Sequence, residues 1–226
     1  MEEIKIIELK ESILADNDKD AELLRKQNKD NGIFLINLMS SPGSGKTTTL
    51  LRLAEKLKGQ VNFAVMEADI DSDTDAKTMI DAGTKCVQLH TGGMCHLDAD
   101  MTRQGLTALG EKDSIVVLEN IGNLVCPAEY DTGANKKITI LSVTEGDDKP
   151  AKYPLMFSVS DLVIINKIDA ISYFDFSTQK CTERIRKLNP NAKIILASAK
   201  TGEGIDELAG WVLSEYKKWR QDSGRD

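Results

Sequence analysis

The sequence is 226 residues long, 41 % of them hydrophobic, and it carries a formal net charge of −7. That length and apolar content suffice for one buried core, so we expect a single domain over residues 1–226. The acidic balance argues against a nucleic-acid-binding surface, because phosphate backbones bind to positive patches, and no apolar stretch reaches the roughly 20 residues needed to cross a bilayer.

The N-terminal sequence MEEIKIIELKES lacks the basic start and apolar middle of a signal peptide, which predicts a cytoplasmic protein. Cysteines stand at positions 86, 95, 126 and 181. In a reducing compartment they would be free thiols, either metal ligands or small buried residues.

The first predicted element is an N-terminal helical extension within residues 1–31, where Ile13, Leu14, Leu23 and Leu24 would pack one face onto the domain. Apolar runs then alternate with helix-like segments, which indicates an α/β fold with a doubly wound, mostly parallel sheet of about seven strands. The runs are residues 32–39, 61–67, 85–89, 114–119, 137–143, 161–167 and 192–199. Ligands of such sheets bind beyond the carboxyl ends of the strands.

The last predicted helix covers residues 204–220 and is amphipathic. Its apolar residues recur at the spacing of one helix face, so we predict that this face packs on the core. They are Ile205, Leu208, Trp211, Val212 and Tyr216.

The first strand leads into SSPGSGKTTTL, residues 40–50, a glycine-rich turn followed by a helix, as in P-loop NTPases. Gly43 and Gly45 tolerate positive φ and carry no side chain, so backbone N–H groups can face a polyphosphate. Lys46 would bind the β- and γ-phosphates and Thr47 would offer its hydroxyl to Mg²⁺. The predicted nucleotide contacts of this loop are Gly43, Ser44, Gly45, Lys46, Thr47 and Thr48.

Two later strands end in segments that resemble the guanine-reading elements of GTPases. Asn166 to Asp169 is similar to NKxD, and Ser198-Ala199-Lys200 is similar to SAK, whose backbone contacts the guanine oxygen. Asp169 would accept hydrogen bonds from guanine N1–H and the exocyclic amine, which adenine cannot donate. Lys167 would lie along the ring face and Asn166 would brace the loops. We therefore predict GTP and GDP as ligands.

The strand over residues 114–119 ends in Glu119-Asn120-Ile121-Gly122, which resembles the DxxG switch element with Glu in place of Asp. Glu119 would hold Mg²⁺ through water, and the Gly122 N–H would bond the γ-phosphate. Asn123 stands where a glutamine often follows. The residue that positions the hydrolytic water is therefore unidentified, and we expect slow intrinsic turnover.

Acidic residues follow the second strand in the sequence EADIDSDTDAKT. Asp69 is the first choice for a further Mg²⁺ ligand and Asp75 a weaker one. Asp71 and Asp73 are equally well explained as solvated residues before the next helix. The predicted catalytic residues are thus Lys46, Asp69, Asp75, Glu119 and Gly122.

A second metal site is suggested by Cys95-His96, at the expected start of a helix, and by Cys126, four residues beyond Gly122. A helix N-terminus lowers a thiol pKa, and an adjacent imidazole is a good ligand for Ni²⁺ or Zn²⁺. Lone cysteines are more often buried hydrophobic residues, and neither CxxC nor HxxxH spacing occurs. The residue types alone leave both interpretations open.

Longer stretches give a more specific match. MEADIDSDTDA, LHTGGMCHLDADM, LENIGNLVCPAEYD and ILSVTEGDDKPAKYPLMF together resemble the HypB family of nickel-incorporation GTPases of hydrogenase maturation. The resemblance implies a SIMIBI-type GTPase that forms a nucleotide-dependent homodimer and acts with the hydrogenase large subunit and other nickel-insertion accessory proteins. It also implies Ni²⁺ or Zn²⁺ at Cys95, His96 and Cys126, and Lys152 near the dimer contact.

Because Cys126 lies on the same short segment as Gly122, we hypothesise that the bound nucleotide changes the position of this cysteine. One alternative is the related urease-maturation GTPase, whose Cys-Pro-His triplet this chain lacks. Another is a GTP-dependent protein-binding switch with purely structural cysteines. An ATP-driven metal inserter is disfavoured by the NKxD-like element.

Overall fold

The structure is a computed structural model that describes residues 9–69 and 74–224. Within that part of the chain a seven-stranded sheet has the order β3-β2-β4-β1-β5-β6-β7. Every neighbouring pair is parallel. The strands are β1 (Ile33–Ser40), β2 (Asn62–Asp69), β3 (Lys85–His90), β4 (Ser114–Gly122), β5 (Lys136–Ser142), β6 (Leu162–Asn166) and β7 (Lys193–Leu196). The predicted α/β fold is confirmed, with all seven apolar runs as strands.

Helices connect the strands and cover both faces of the sheet. They are α1 (Leu9–Asn31), α2 (Lys46–Leu57), α3 (Thr74–Asp81), α4 (Ala99–Leu109), α5 (Cys126–Glu129), α6 (Lys149–Lys152), α7 (Pro154–Ser158), α8 (Thr178–Leu188) and α9 (Ile205–Asp222). Two 3₁₀ helices lie at Val143–Glu145 and Ile168–Tyr173. No helix among the described residues is both long enough and apolar enough to span a bilayer.

The central strands are buried on both faces, which explains why they read as continuous apolar runs. All eight residues of β1 and all five of β6 are buried. One core lies under α2, α3 and α9, where Leu208 and Val212 are buried and Trp211 is partly buried, as predicted for the last helix. On the other face, α1 and α4 cover one half of the sheet and α7 and α8 the other.

The N-terminal helix α1 packs on the sheet less regularly than its pattern predicted. Leu24 is buried in the core under α1 and α4, whereas Leu23 is 53 % exposed. Adjacent residues of a helix point in different directions, so Leu23 faces solvent while Leu24 faces the core. The prediction that Leu23 packs on the domain was wrong. Leu14 is half-buried, and the side chain of Ile13 lies outside the described residues.

Helix α9 offers a test of packing against backbone propensity. Gly210 is exposed within the helix, and a Cβ atom there would meet nothing within 4 Å. Gly210→Ala should therefore raise the free energy of unfolding by about 0.5–1 kcal/mol in urea titrations, because alanine is the better helix former.

Gly204→Ala is the matched opposite, because Gly204 has φ +76° and a Cβ atom would lie 2.2 Å from the Leu196 carbonyl oxygen. It should lower the free energy of unfolding by more than about 1 kcal/mol. A loss of stability in Gly210→Ala would contradict the geometry of α9.

Candidate nucleotide and metal site

The glycine-rich loop lies between the end of β1 and the start of α2. Gly43 and Gly45 have φ values of 71° and 97°, as expected for backbone N–H groups turned to one side. The Ser44 hydroxyl donates to the Ser40 hydroxyl at 2.7 Å, which fixes the base of the loop. A Cβ atom on Gly45 would lie 2.6 Å from Asn166 Nδ2. Only glycine fits this approach of the loop to the end of β6.

The residues predicted to read guanine converge at the carboxyl end of β6. Asn166 Nδ2 donates to the Ser44 carbonyl at 2.9 Å, and its Oδ1 accepts from the Ala199 N–H at 3.1 Å. The Ser198 hydroxyl donates to Asp169 at 2.6 Å. These contacts tie the NKxD-like and SAK-like segments to the phosphate loop. They border a cavity of about 180 Å³, which is lined by Gly45, Thr48, Lys167, Asp169, Ala199 and Lys200.

Lys167 connects the NKxD-like segment to the phosphate loop. It has φ 63°, unusual for a residue with a side chain, and its ammonium group donates to the Gly43 carbonyl at 2.6 Å. That contact lays the aliphatic stem between the phosphate loop and the cavity, where a base ring would stack on it.

The switch-like segment closes the other side of the phosphate loop. Gly122 ends β4 beside Ser40, and a Cβ atom on Gly122 would lie 2.9 Å from the Pro42 nitrogen. Thr47 Oγ1 donates to Glu119 at 3.1 Å. The phosphate loop and the end of β4 are therefore in direct contact.

Three carboxylates meet behind Thr47. Oxygen atoms of Glu67, Asp75 and Glu119 all lie within 4.8 Å of one another, and Glu67 and Glu119 are 3 % and 1 % exposed. Among the residues that the structure describes, no hydrogen-bond partner is found for one buried oxygen of each of these two glutamates. Unpaired buried carboxylate oxygens beside a hydroxyl are suitable ligands for Mg²⁺, so the residues present fit that ion.

Burial and neighbouring charges raise the affinity of the two buried glutamates for protons. Burial, with the charge of Glu119 nearby, raises the pKa of Glu67 to about 7. Burial also raises the pKa of Glu119 to about 7, although the Lys46 charge and the Thr47 hydroxyl act in the opposite direction. In the absence of a cation this site therefore holds protons at neutral pH.

Sequence reasoning did not assign a role to Glu67. Among the described residues the three-carboxylate group contains Glu67 and Asp75 rather than Asp69, the first choice from the sequence. Asp69 ends β2, where its carbonyl accepts from the Thr91 N–H at the edge of the sheet. Asp71 and Asp73 lie outside the described residues. The sequence did contain a signal for Glu67. Residues two apart in a strand point to the same face of the sheet, so Glu67 shares its face with Asp69.

Glu145 was also missed. It closes a capping box in which its carboxylate accepts from the Ser142 N–H at 2.9 Å, and it accepts from the Ser41 hydroxyl of the phosphate loop. The Ser-x-x-Glu spacing after a strand is the signal that predicts such a cap. Glu145 thus links the end of β5 to the phosphate loop.

The soft donors also come together. Cys95 Sγ lies 2.9 Å from Cys126 Sγ and 3.9 Å from His96 Nδ1. The His96 ring stacks on Tyr130 with 3.6 Å between centroids and 18° between planes. Two sulfurs that bind one ion at about 2.3 Å lie roughly 3.3–3.8 Å apart, so the pair would open by less than about 1 Å. These donors fit a soft cation.

The predicted start of a helix at Cys95-His96 was wrong. Helix α4 begins at Ala99, not at Cys95, because Asp98 is its N-cap and accepts from the Met101 N–H at 2.8 Å. Cys95 therefore lies before the first turn of α4, separated from it by the N-cap. The hydrogen bond from Cys95, with burial, raises the pKa of Cys126 instead of lowering it.

The pKa shifts of His96 and of the two other cysteines separate a possible metal ligand from core residues. Burial lowers the pKa of His96, so its imidazole is neutral at neutral pH and keeps a lone pair for a metal. Burial raises the pKa of both Cys86 and Cys181 to about 12. Such thiols behave as small core residues.

The chain is similar in sequence to members of one protein family. A family model described as the nucleotide-binding domain of CobW/HypB/UreG matches residues 34–196. The hydrogenase maturation factor HypB of Escherichia coli K12 is 42 % identical over 216 residues, which are 95 % of this chain and 74 % of that protein. The hydrogenase/urease maturation factor HypB of Helicobacter pylori J99 is 39 % identical over 219 residues, covering 95 % and 90 % of the two chains.

Solved structures agree. A crystal structure of HypB from Helicobacter pylori in complex with nickel superposes with a TM-score of 0.84 at 38 % identity, covering 90 % of this chain and 96 % of that one. HypB from Archaeoglobus fulgidus gives the same TM-score at 35 % identity, covering 90 % and 100 %.

The raised pKa values predict how pH changes the stability of the metal-free protein. Between the usual value of 4.5 and about 7, the folded state binds more protons at Glu67 and Glu119 than the unfolded state. The contribution of these groups to stability therefore falls as pH rises through that range. Glu67→Gln should reduce the loss of unfolding free energy between about pH 5 and about pH 8 by about 1–2 kcal/mol, measured by urea titration with a chelator.

The control is Glu183→Gln on the exposed surface of α8, which should keep the pH dependence of the parent chain. An equal change of unfolding free energy with pH in Glu67→Gln and in the parent chain would contradict the raised pKa of Glu67.

Proposed function

This chain belongs to the CobW/HypB/UreG family of nucleotide-binding proteins, and we propose that within it the protein is a GTP-hydrolysing metallochaperone that assists nickel insertion into nickel-iron hydrogenase. One observation carries the proposal. The Cys95 and Cys126 sulfurs are 2.9 Å apart, and Cys126 follows by four residues the glycine that packs on the phosphate loop.

GTP is the nucleotide that the cavity beside Asp169 favours. The Asp169 carboxylate offers acceptors for the N1–H and the exocyclic amine of guanine, whereas the N–H groups of Ser198 and Ala199 already donate to Glu203 and Asn166. Lys46 would neutralise the β- and γ-phosphates, and the Gly122 N–H lies on the side of the loop where a γ-phosphate would be. When bound, Mg²⁺ supplies positive charge to the phosphate oxygens, and we propose Thr47, Glu119 and Asp75 as the residues that hold it.

Glu67 would act beside these ligands without contacting the nucleotide. One oxygen of Glu67 lies within 4.8 Å of oxygens of Glu119 and Asp75. Negative charge on Glu67 therefore makes the binding of a cation at this position more favourable. We propose Asp69 as a more distant acidic residue of the same edge, because its charge also acts on Glu119.

Nickel is the cargo in this proposal. Two thiols and a neutral imidazole form a soft donor set that suits Ni²⁺ and also Zn²⁺. Cys95 is exposed, and the apolar side chains of Met94 and Val125 beside the two cysteines are 41 % and 48 % exposed. An exposed site bounded by apolar residues favours transfer to a partner over storage.

The nucleotide and the metal would be coupled through one segment of chain. Any displacement of Gly122 when its N–H bonds a γ-phosphate passes along four residues to Cys126, while Cys95 lies on a separate loop. A change in the distance between the two sulfurs would then change the affinity for nickel.

We further propose a cytoplasmic, nucleotide-dependent homodimer with Lys152 near the contact. The Lys152 side chain is 61 % exposed and pairs with Asp148 at 2.6 Å, so it is accessible to a second copy. Other nickel-insertion proteins and the hydrogenase large subunit are the expected partners. Urease is a second candidate client, because the Helicobacter pylori relatives are named hydrogenase/urease maturation factors.

Base recognition is tested by Asp169→Asn. The amide oxygen can still accept from Ser198, but its NH₂ group faces the donors of guanine and matches the C2 carbonyl of xanthine. GDP affinity should fall by about 100-fold and xanthosine diphosphate affinity should rise, as measured by calorimetry.

The matched control for this variant is Tyr173→Ala, which changes an 83 % exposed side chain of the same 3₁₀ helix and should leave GDP affinity unchanged. Retained preference for GDP in Asp169→Asn would remove Asp169 from the base site.

Cargo binding is tested by Cys126→Ser. Removing one of three ligands should weaken nickel binding by more than about 100-fold, because loss of a residue behind the ligands alone costs about 10–100-fold. GTP hydrolysis should change little, since Cys126 lies outside the phosphate loop.

Cys181→Ala, which removes a thiol buried under α8, serves as the control and should keep nickel affinity. Equal nickel dissociation constants for Cys126→Ser and the parent chain would contradict the proposed metallochaperone role.

A further inference from the structure

One side chain of the N-terminal helix α1 contacts both segments that carry the soft donors. Asn17 Nδ2 donates to the Asp131 carbonyl at 2.9 Å, and Asn17 Oδ1 accepts from the Ala99 N–H at 2.9 Å. Ala99 follows His96 by three residues, and Asp131 follows Cys126 by five. A single buried amide therefore bridges two chain segments that are distant in sequence.

The second of these segments has a further anchor on α1. Arg25 forms a two-pronged ion pair with Asp131, with N–O distances of 2.9 and 2.7 Å. Asp131 also accepts from the Gly133 N–H at 2.9 Å. Because a planar guanidinium fixes the orientation of a carboxylate as well as its distance, the backbone after Cys126 is held in one geometry.

The anchored segment reaches the donors through Tyr130. Tyr130 immediately precedes Asp131, and its ring is stacked on His96. The same stretch of chain therefore contains Cys126, the ring that orients His96, and the residue attached to α1. Movement of Asp131 relative to Ala99 would disturb all three donors.

We propose that Asn17 is a positioning residue for the soft-metal site, with Arg25 in support: its two hydrogen bonds hold the Cys95–His96 segment and the Cys126 segment at the spacing that one ion requires. The inference rests on the proposed function, because it concerns the nickel site. Asn17 is 9 % exposed, so its loss would leave the Ala99 N–H and the Asp131 carbonyl in surroundings with little water.

A purely structural role for Asn17 makes a different prediction, because another buried asparagine lies farther along the same helix. Asn28 is 2 % exposed, and its Nδ2 has no hydrogen-bond partner in the described chain. It lies in a groove between α1 and α4 that also contains Leu106 and Gly110, at the opposite end of α4 from Ala99. Asn28→Ala is therefore a matched control for loss of packing under α1.

The experiment compares Asn17→Ala, Arg25→Gln and Asn28→Ala in the full chain. Nickel dissociation constants, measured by competition with a chelating dye, should rise by about 10–100-fold for Asn17→Ala and about tenfold for Arg25→Gln. Asn28→Ala should remain within about threefold of the parent chain.

A metal-free measurement tests the same geometry. In a background where Cys86 and Cys181 are replaced by alanine, a glutathione redox buffer equilibrates Cys95 and Cys126 between dithiol and disulfide, with oxidised glutathione as the oxidant. The equilibrium constant reports how often the two sulfurs meet. It should fall about tenfold in Asn17→Ala and stay unchanged in Asn28→Ala. Arg25→Gln, at a half-buried surface position, supplies the same comparison if Asn17→Ala does not fold.

Parent-like values in both measurements for the Asn17 or Arg25 variant would overturn the proposal, as would an equal effect of Asn28→Ala. If the parent chain binds no nickel through Cys126, the proposed function fails instead. The disulfide equilibrium then still decides whether Asn17 holds the two segments together.

Discussion

The close packing of Gly122 on Pro42 is the contact on which the rest of the site depends. No side chain fits between the end of β4 and the phosphate loop, since even a Cβ atom would lie within 3.0 Å of the Pro42 backbone. A ligand that displaces the phosphate loop should therefore also displace the backbone that follows β4. Cys126 lies four residues farther on, too few for a flexible connection to absorb a displacement.

Parallel strand topology supplies the rest of the arrangement. The carboxyl ends of β1, β2, β4 and β6 meet at one edge, so the glycine-rich loop, three carboxylates and the NKxD-like segment come together from distant parts of the sequence. Two of those carboxylates are almost fully buried, and burial raises the pKa of each to about 7. Such a pair is unfavourable by itself, and it is stabilised when a cation replaces the protons.

Much of this could be predicted from the sequence because it depends on local patterns. Strands buried on both faces appear as apolar runs, and the phosphate loop and NKxD-like segment follow strands directly. The contribution of Glu67 was not predicted, because alternation places Glu67 and Asp69 on the same face of β2 and only the packing around the strand buries Glu67 more deeply than Asp69. The start of α4 was placed too early, at Cys95-His96, because the side chain of Asp98 caps the helix and decides where it begins. The bridge through Asn17 is purely tertiary, and no spacing in the sequence indicates it.

The central claim is that the nucleotide and the soft cation act on one short segment after β4. The most direct test is the nickel dissociation constant of the full chain, compared between its GDP complex and its complex with a non-hydrolysable GTP analogue. We expect different affinities in the two complexes, and the difference should vanish in Cys126→Ser. Equal affinities in the two complexes of the parent chain would contradict it.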